Sequence, residues 1–294
     1  MNIRTDLAVE SRELIKEDEV FSVKEKEQQS LNMKITEIVI DNDEDSVKLS
    51  KDKGTYITFE FPNISEKVMY TDERIPVIAK HIRKLLPKEG TILVAGLGNN
   101  NITPDALGVR SANGIIATRH ITEETAVQTG IEHLRSVSVI TTGVLGQTGI
   151  ETVEFIGSIV NRIKPSAVIT IDALASRKLN RLGCTLQISD TGISPGSGVN
   201  NRRFAINRKT LGIPVIAIGI PTVVDAVTLT CDIMSEYVGK ENIEEDICPN
   251  GRKMIVTPDN IDVIIQRGTE LISLAVNSAL YPCLTLSDII ALCS

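Results

Sequence analysis

The chain is poor in aromatic residues, with five Phe, four Tyr and no Trp among its 294 residues. Its core must therefore be built from Ile, Val, Leu and Ala, a composition that suits parallel strands buried on both faces by helices. Histidine is scarcer still: His81, His120 and His133 are the only three, and all precede Asp172. All three also precede the one GxSxG stretch, GISPG (192–196), so the Ser–Asp–His order that goes with that motif is missing. The five cysteines (Cys184, Cys231, Cys248, Cys283 and Cys293) show no CxxC spacing. That pattern argues against a zinc knuckle or a disulfide framework and for reduced, mostly buried thiols of a cytosolic protein. Net positive charge is lacking too. At −7, the balance argues against direct nucleic-acid binding and against adsorption to an anionic membrane. Nothing approaches the roughly 18 consecutive apolar residues of a membrane span. The opening MNIRTDLAVESRE is charged within its first dozen residues and has no apolar stretch of a secretory signal.

What is present reads as α/β. Residues 1–32 are polar and charge-dense, and their pattern predicts an arm or loosely packed lead-in. MKITEIVI (33–40) and GTYITFEF (54–61) alternate with period two, as half-buried strands of an antiparallel unit do. DNDEDS (41–46) between them lacks the spacing of a calcium loop and reads as a solvated turn. TDERIPVIAKHIRKLLP (71–87) is predicted to be an amphipathic helix, with Thr71 as N-cap and Pro87 just past its end. From residue 91 the pattern changes to short apolar runs without clean alternation: TILVA (91–95), SVSVIT (136–141), AVITI (167–171) and PVIAIGI (214–220). TGIETVEFIGSIVNRIKP (148–165) has apolar residues at helical spacing, as in the crossover between parallel strands. TLQIS (185–189) reads as an edge strand, and 221–240 and 257–280 as two closing helices, the second capped by Thr257 with Pro258 at its first position. The expected fold is a single α/β domain: a mostly parallel twisted sheet flanked by helices, with a β-rich elaboration at 33–61.

In such sheets ligands and chemistry collect beyond the C-terminal ends of the strands. Three aspartates fall there: Asp105 after TILVA, Asp172 at the end of AVITI, and Asp225 after PVIAIGI. The turn GLGNNNITPDALG (96–108) raises the possibility of a phosphate cradle. Gly96 and Gly98 supply the first two glycines of a dinucleotide fingerprint, but Asn101 stands where the third is required, and no GxxxxGK[ST] motif occurs. The glycines are equally explained by a tight turn, and Asp105 by the electrostatic preference for a carboxylate at a helix start. Asp172 closes a very apolar strand, and a buried acid there calls for a partner. Two facing carboxylates push their pKa values apart, so that one serves as base on a water and the other as acid. Asp225 fits either support of that pair or a helix cap. ISPGSGVNNRR (193–203), with Ser197, Arg202 and Arg203, is either a grip for an acidic substrate or a surface loop.

Read in order, GLGNNNITPDALG, TRHI, TGVLGQTGIET, ITIDALASR, TLQISDTGISPGSGVNN and LGIPVIAIGIPTVVDA resemble the germination proteases of spore-forming bacteria. RTDLAVE (4–10) and VKEKEQQ (23–29) resemble that family's N-terminal region. The resemblance spans nearly the whole chain and is weakest at 238–256 and at the C-terminal tail. It implies an atypical aspartic endopeptidase, related in fold to hydrogenase maturation proteases, that degrades small acid-soluble spore proteins during germination in the spore core. The family's two essential aspartates fall on Asp105 and Asp172, with Asn99 close by in the same motif. Members are made as zymogens that cut themselves at a site resembling the substrate: an acid, an apolar residue, Ala and a further acid. Carried over, the cut lies between Asp6 and Leu7, leaving residues 1–6 as propeptide and 7–294 as the peptidase domain. The resemblance further implies a homotetramer and neither a cofactor nor a metal. Two rival readings are a nickel-reading protease of the hydrogenase-maturation type, for which this chain lacks the later histidine, having none after His133, and a non-enzymatic nucleotide-binding α/β protein. On this reading the turn at 96–108 holds a carboxylate.

Overall fold

The computed structural model describes residues 5–15, 23–62, 72–129, 134–196, 203–237 and 254–293. Among the described residues nine strands form one sheet: β1 (Lys24–Ser30), β2 (Met33–Ile40), β3 (Gly54–Glu60), β4 (Ile92–Gly96), β5 (Val137–Thr141), β6 (Ala167–Ser176), β7 (Thr185–Ser189), β8 (Val215–Asp225) and β9 (Ile255–Val256). Their spatial order is β1-β2-β3-β7-β8-β6-β4-β5, with β9 paired to β8. The run β8-β6-β4-β5 is parallel; β1, β2, β3, β7 and β8 pair antiparallel. The α/β class holds, with more of the sheet antiparallel than the apolar runs predict.

Side chains of successive residues point to opposite faces of a strand, and the core follows that rule. Ile92, Val94, Ile169, Ile171, Ile216 and Ile218 face a layer of helices that includes Arg74–Leu85, Leu107–Asn113 and Ile261–Leu280. Leu93, Ala95, Val168 and Val215 face the helix Thr152–Ile163 through Ile156 and Val160. Both faces are thus covered, which is why these strands read as continuous apolar runs. On the antiparallel half, Ile38, Ile40 and Tyr56 pack instead against Leu7, Ala8 and Val9 of the N-terminal segment and Leu49 of the helix Asp43–Leu49.

Several local expectations are corrected. Within the lead-in, Ala8–Glu13 is a helix docked on the apolar face of β2 and β3, and Lys24–Ser30 is an exposed edge strand held by its backbone ladder to β2. DNDEDS forms the start of a short helix capped by Asn42, whose side chain accepts the Asp45 N–H at 2.7 Å. TLQIS is an interior strand, fully buried between β3 and β8. PTVVD is the extended end of β8, and the helix starts only at Ala226. The last long helix begins at Ile261 with Asn260 as N-cap, since the Thr257 hydroxyl donates instead to the Thr222 carbonyl at 2.9 Å. Arg74–Leu85 has Glu73 at its N-cap position, and Thr71 lies outside the described residues. Of the described cysteines, Cys231 is buried and Cys184 half-buried, but Cys283 and Cys293 are exposed.

Close packing of the helix Leu107–Asn113 on β4 depends on Gly96, where an added Cβ would lie 2.3 Å from the Gly108 carbonyl oxygen and 2.6 Å from the Ala112 Cβ. Gly96→Ala is therefore expected to destabilise the chain by about 1–3 kcal/mol, the usual cost of overpacking, read as a lower urea midpoint at unchanged m-value.

Candidate active site

β6 runs parallel to β4 only as far as the pair Gly96–Ile171, then continues to Ser176. Asp172 is thus the first residue of β6 beyond the end of its neighbour, within the strand rather than closing it. On its other side β6 stays paired with β8, through a bulge at which Leu174 faces Pro221 and Ala175 faces Val223. Thr222 is the extra residue of that bulge. Proline within a strand is tolerated at such places, and bulges re-aim side chains near functional sites. The buried Thr222 hydroxyl donates to the Pro104 carbonyl at 2.7 Å, tying β8 to the short 3-10 turn Thr103–Asp105.

That turn delivers Asp105. The Asn99 N–H donates to its Oδ2 at 2.8 Å and also approaches its main-chain oxygen at 3.2 Å. Gly98 has φ +99°, and a Cβ there would meet the Asp105 carbonyl oxygen at 2.1 Å. Asp105 itself thus takes up the inside of this turn and its Asn99 N–H. The Asn99 side chain is fixed in turn, its Oδ1 accepting from Gln147 Nε2 at 2.8 Å and from the Asn101 N–H at 3.0 Å.

Asp105 and Asp172 line one cleft of about 270 Å³, together with Asp6, Gly98, Arg203 and Thr222. Burial, partly offset by the Asn99 amide, pushes the Asp105 carboxyl up to about 6. Burial and then the charge of Asp105 hold Asp172 well above the usual carboxylate range, against one hydrogen bond from the Ala173 N–H. The two acids have different proton affinities in one site, the arrangement from which acid and base roles arise.

The N-terminal segment enters this cleft. The Asp6 N–H donates to the Ala175 carbonyl at 2.9 Å, and the Ala175 N–H donates to Asp6 Oδ2 at 2.8 Å, so the segment takes the side of β6 that β4 leaves open. Lys51 Nζ donates to the Thr5 carbonyl at 3.0 Å. Buried Gln187 donates from Nε2 to the Asp6 carbonyl at 3.1 Å and accepts the Ala8 N–H at 2.7 Å on Oε1. Leu7 is fully buried, a contribution of about 1.5–3 kcal/mol for such a side chain. Glu10, also fully buried, accepts from the Arg177 and Lys178 N–H groups at 2.6 and 3.0 Å and from the Thr5 hydroxyl. Glu13 pairs with Arg181 at 2.6 Å and Lys178 at 2.9 Å. Although burial alone would raise it, those two cations hold the Glu13 carboxyl down at about 2.

Of the other residues singled out, Asp225 caps the helix Ala226–Tyr237, its Oδ1 accepting the Thr228 N–H at 2.9 Å, and the fold does not bring it to the cleft. Arg203 reaches the cleft rim, 4.0 Å from Glu151. Ser197 and Arg202 lie outside the described residues. Among the described residues no cluster of three His, Cys, Asp or Glu side chains gathers as a metal site, and no helix is long and apolar enough to cross a membrane. Three contributions went unread in the sequence. Thr222 has a signal in Pro221, which interrupts an apolar strand. Gln187 has one in being the polar centre of TLQIS. Lys51 has none.

The family model described as germination protease matches residues 3–242. A germination protease of Caldanaerobacter subterraneus subsp. tengcongensis is 46% identical, with 97% of this chain and 96% of the relative covered. One from Clostridium tetani is 41% identical over 98% of each chain, and one from Bacillus licheniformis 44% identical over 81% of this chain and 68% of its own. Among solved structures, a NiFe-hydrogenase maturation protease from Thermococcus kodakarensis aligns with a TM-score of 0.37 at 16% identity, covering 68% of this chain and 98% of that one. Full-length similarity at this level, on a chain whose strand ends build a two-carboxylate cleft, makes the protein a member of the germination protease family, an enzyme that cuts peptide bonds.

Proposed function

We propose that this chain is an aspartate-type endopeptidase that first cuts itself between Asp6 and Leu7 and then degrades small acid-soluble spore proteins in the germinating spore. One observation carries the reading: Asp6 lines the same cleft as Asp105 and Asp172, with its backbone and carboxylate bound along the open side of β6. A peptide laid along a free strand edge is a recurrent recognition mode. The six residues before the cut are the propeptide, and the segment after it stays buried against β2 and β3. Association into a homotetramer belongs to the same proposal, as do the spore proteins as partners.

The roles of the two acids follow from their proton affinities. At neutral pH Asp105, with its carboxyl at about 6, is mostly ionised and acts as general base on a water. Asp172, held protonated by burial and by the charge of Asp105, is the acid toward the leaving amine. No charge need be created or lost by the pair as a whole when a proton enters at one carboxyl and leaves from the other.

Asp105→Asn and Asp172→Asn are each expected to lower cleavage of a peptide containing TDLAVE by roughly 10²–10⁴-fold or more, the range for lost acid–base groups. Mass spectrometry of the products checks this, and full activity of either folded variant would sink the pair. Asp172 binds its proton more tightly folded than unfolded, so its contribution to stability is lost as pH rises above the ordinary carboxylate value. Asp172→Asn carries no such penalty and is expected to melt no lower than the parent at neutral pH. The rate of the parent enzyme should rise as pH passes about 6, where Asp105 ionises, and fall on the alkaline side as Asp172 loses its proton. A flat profile measured across that range on the same peptide would rule out these roles.

A further inference from the structure

Among the contacts that hold the N-terminal segment, one falls on the bond proposed to be cut. The carbonyl of Asp6 belongs to the Asp6–Leu7 peptide, and Gln187 Nε2 donates to its oxygen at 3.1 Å. The other end of the same amide accepts the Ala8 N–H at 2.7 Å. These partners decide the orientation of the amide without ambiguity, since a carbonyl oxygen needs a donor and an N–H needs an acceptor. Gln187 is held in the middle of β7, between Thr58 of β3 and Gly219 of β8, and is 7% exposed. The donor is therefore positioned by a rigid interior strand, in a site from which water is largely removed. Such a donor stabilises charge more strongly than it would in water.

We propose that Gln187 is a catalytic residue of peptide hydrolysis in this protein, its Nε2–H stabilising the oxyanion that develops on the Asp6 carbonyl. This rests on the reading above that Asp6–Leu7 is the bond cut. Water oxygen attacks the Asp6 carbonyl carbon and gives one proton to the carboxylate base. The carbonyl π pair moves onto the oxygen held by Gln187. When the tetrahedral centre collapses, that pair re-forms the C=O, the C–N bond breaks, and the Leu7 nitrogen takes the proton of the carboxylic acid. The products are the Asp6 α-carboxyl group and the Leu7 α-amine. The pair of aspartates moves protons in this scheme, and Gln187 adds a neutral donor that stays on the oxygen throughout; its second contact, on Ala8 N–H, holds the peptide in register.

The alternative is that Gln187 only clamps the segment, and the two roles separate in a single-turnover experiment. The full-length chain is freshly translated, and cleavage after Asp6 is followed by intact-mass spectrometry for the parent, Gln187→Glu and Gln187→Met. Glu keeps the acceptor for the Ala8 N–H and loses the amide donor; Met keeps the length and loses both. Hydrogen exchange over residues 7–13 reports docking, which Glu10 and Glu13 anchor independently through Arg177, Lys178 and Arg181. The expected result is cleavage at the same bond, roughly 10²–10³-fold slower as for loss of one oxyanion donor, with protection of 7–13 retained. Variant rates equal to that of the parent would overturn the proposal. So would protection lost in proportion to the slowing, which makes Gln187 a clamp. Should a buried Glu prevent folding, the Met variant carries the comparison. A folded parent chain left intact at Asp6–Leu7 overturns this proposal together with the reading beneath it.

Discussion

β6 continues past Ile171, where β4 ends, and stays supported on one side only, by β8. A strand half released from its sheet presents main-chain donors and acceptors that must find partners. Here the partner is the chain's own N-terminal segment, through Asp6 and Ala175. The same step in the sheet places Asp172 at the floor of a cleft and leaves room above β4 for the turn that carries Asp105. The cleft, the docked segment and the carboxylate pair are consequences of one difference in strand length.

Holding acids in such a place has a cost, and the structure distributes it unevenly. Asp105 retains partial exposure and an N–H partner, while Asp172 is buried with little but the Ala173 N–H to favour its charge. Their proton affinities diverge for that reason. The acids of the N-terminal segment are treated differently again. Glu10 accepts from backbone N–H groups and lies beside Arg181, and Glu13 pairs with Arg181 and Lys178, so both anchor the segment. The carboxylates that dock the N-terminal segment and the pair that lines the cleft thus differ in the donors that surround each.

Much of this was legible in advance where local physics decides. β4, β5, β6 and β8 were visible as apolar runs because parallel strands covered on both faces tolerate few polar residues. Gly96, Gly98 and Pro104 announced a turn, and Asp105 within it was a candidate because it lies beyond the C-terminal end of a strand, where a helix start explained it as well. Errors came where a distant partner overrode the local pattern. TLQIS looked like an edge because it is short, yet β3 and β8 close over it. Residues 8–13 and 24–30 looked like a loose arm because their own composition is polar, and only the apolar face of β2 and β3 for the first, and the free edge of β2 for the second, turn them into structure.

The sequence by itself determined the α/β class and the family and singled out the two aspartates as candidates, since periodicity, turn chemistry and long motifs are properties of neighbouring residues. The tertiary structure decided the rest. It set how far β6 outruns β4, brought Gln187 and Lys51 to residues 5–8, and gave Asp105 and Asp172 different environments. Burial, register and proton affinity depend on groups far apart in the chain, and no local pattern encodes the distance between them.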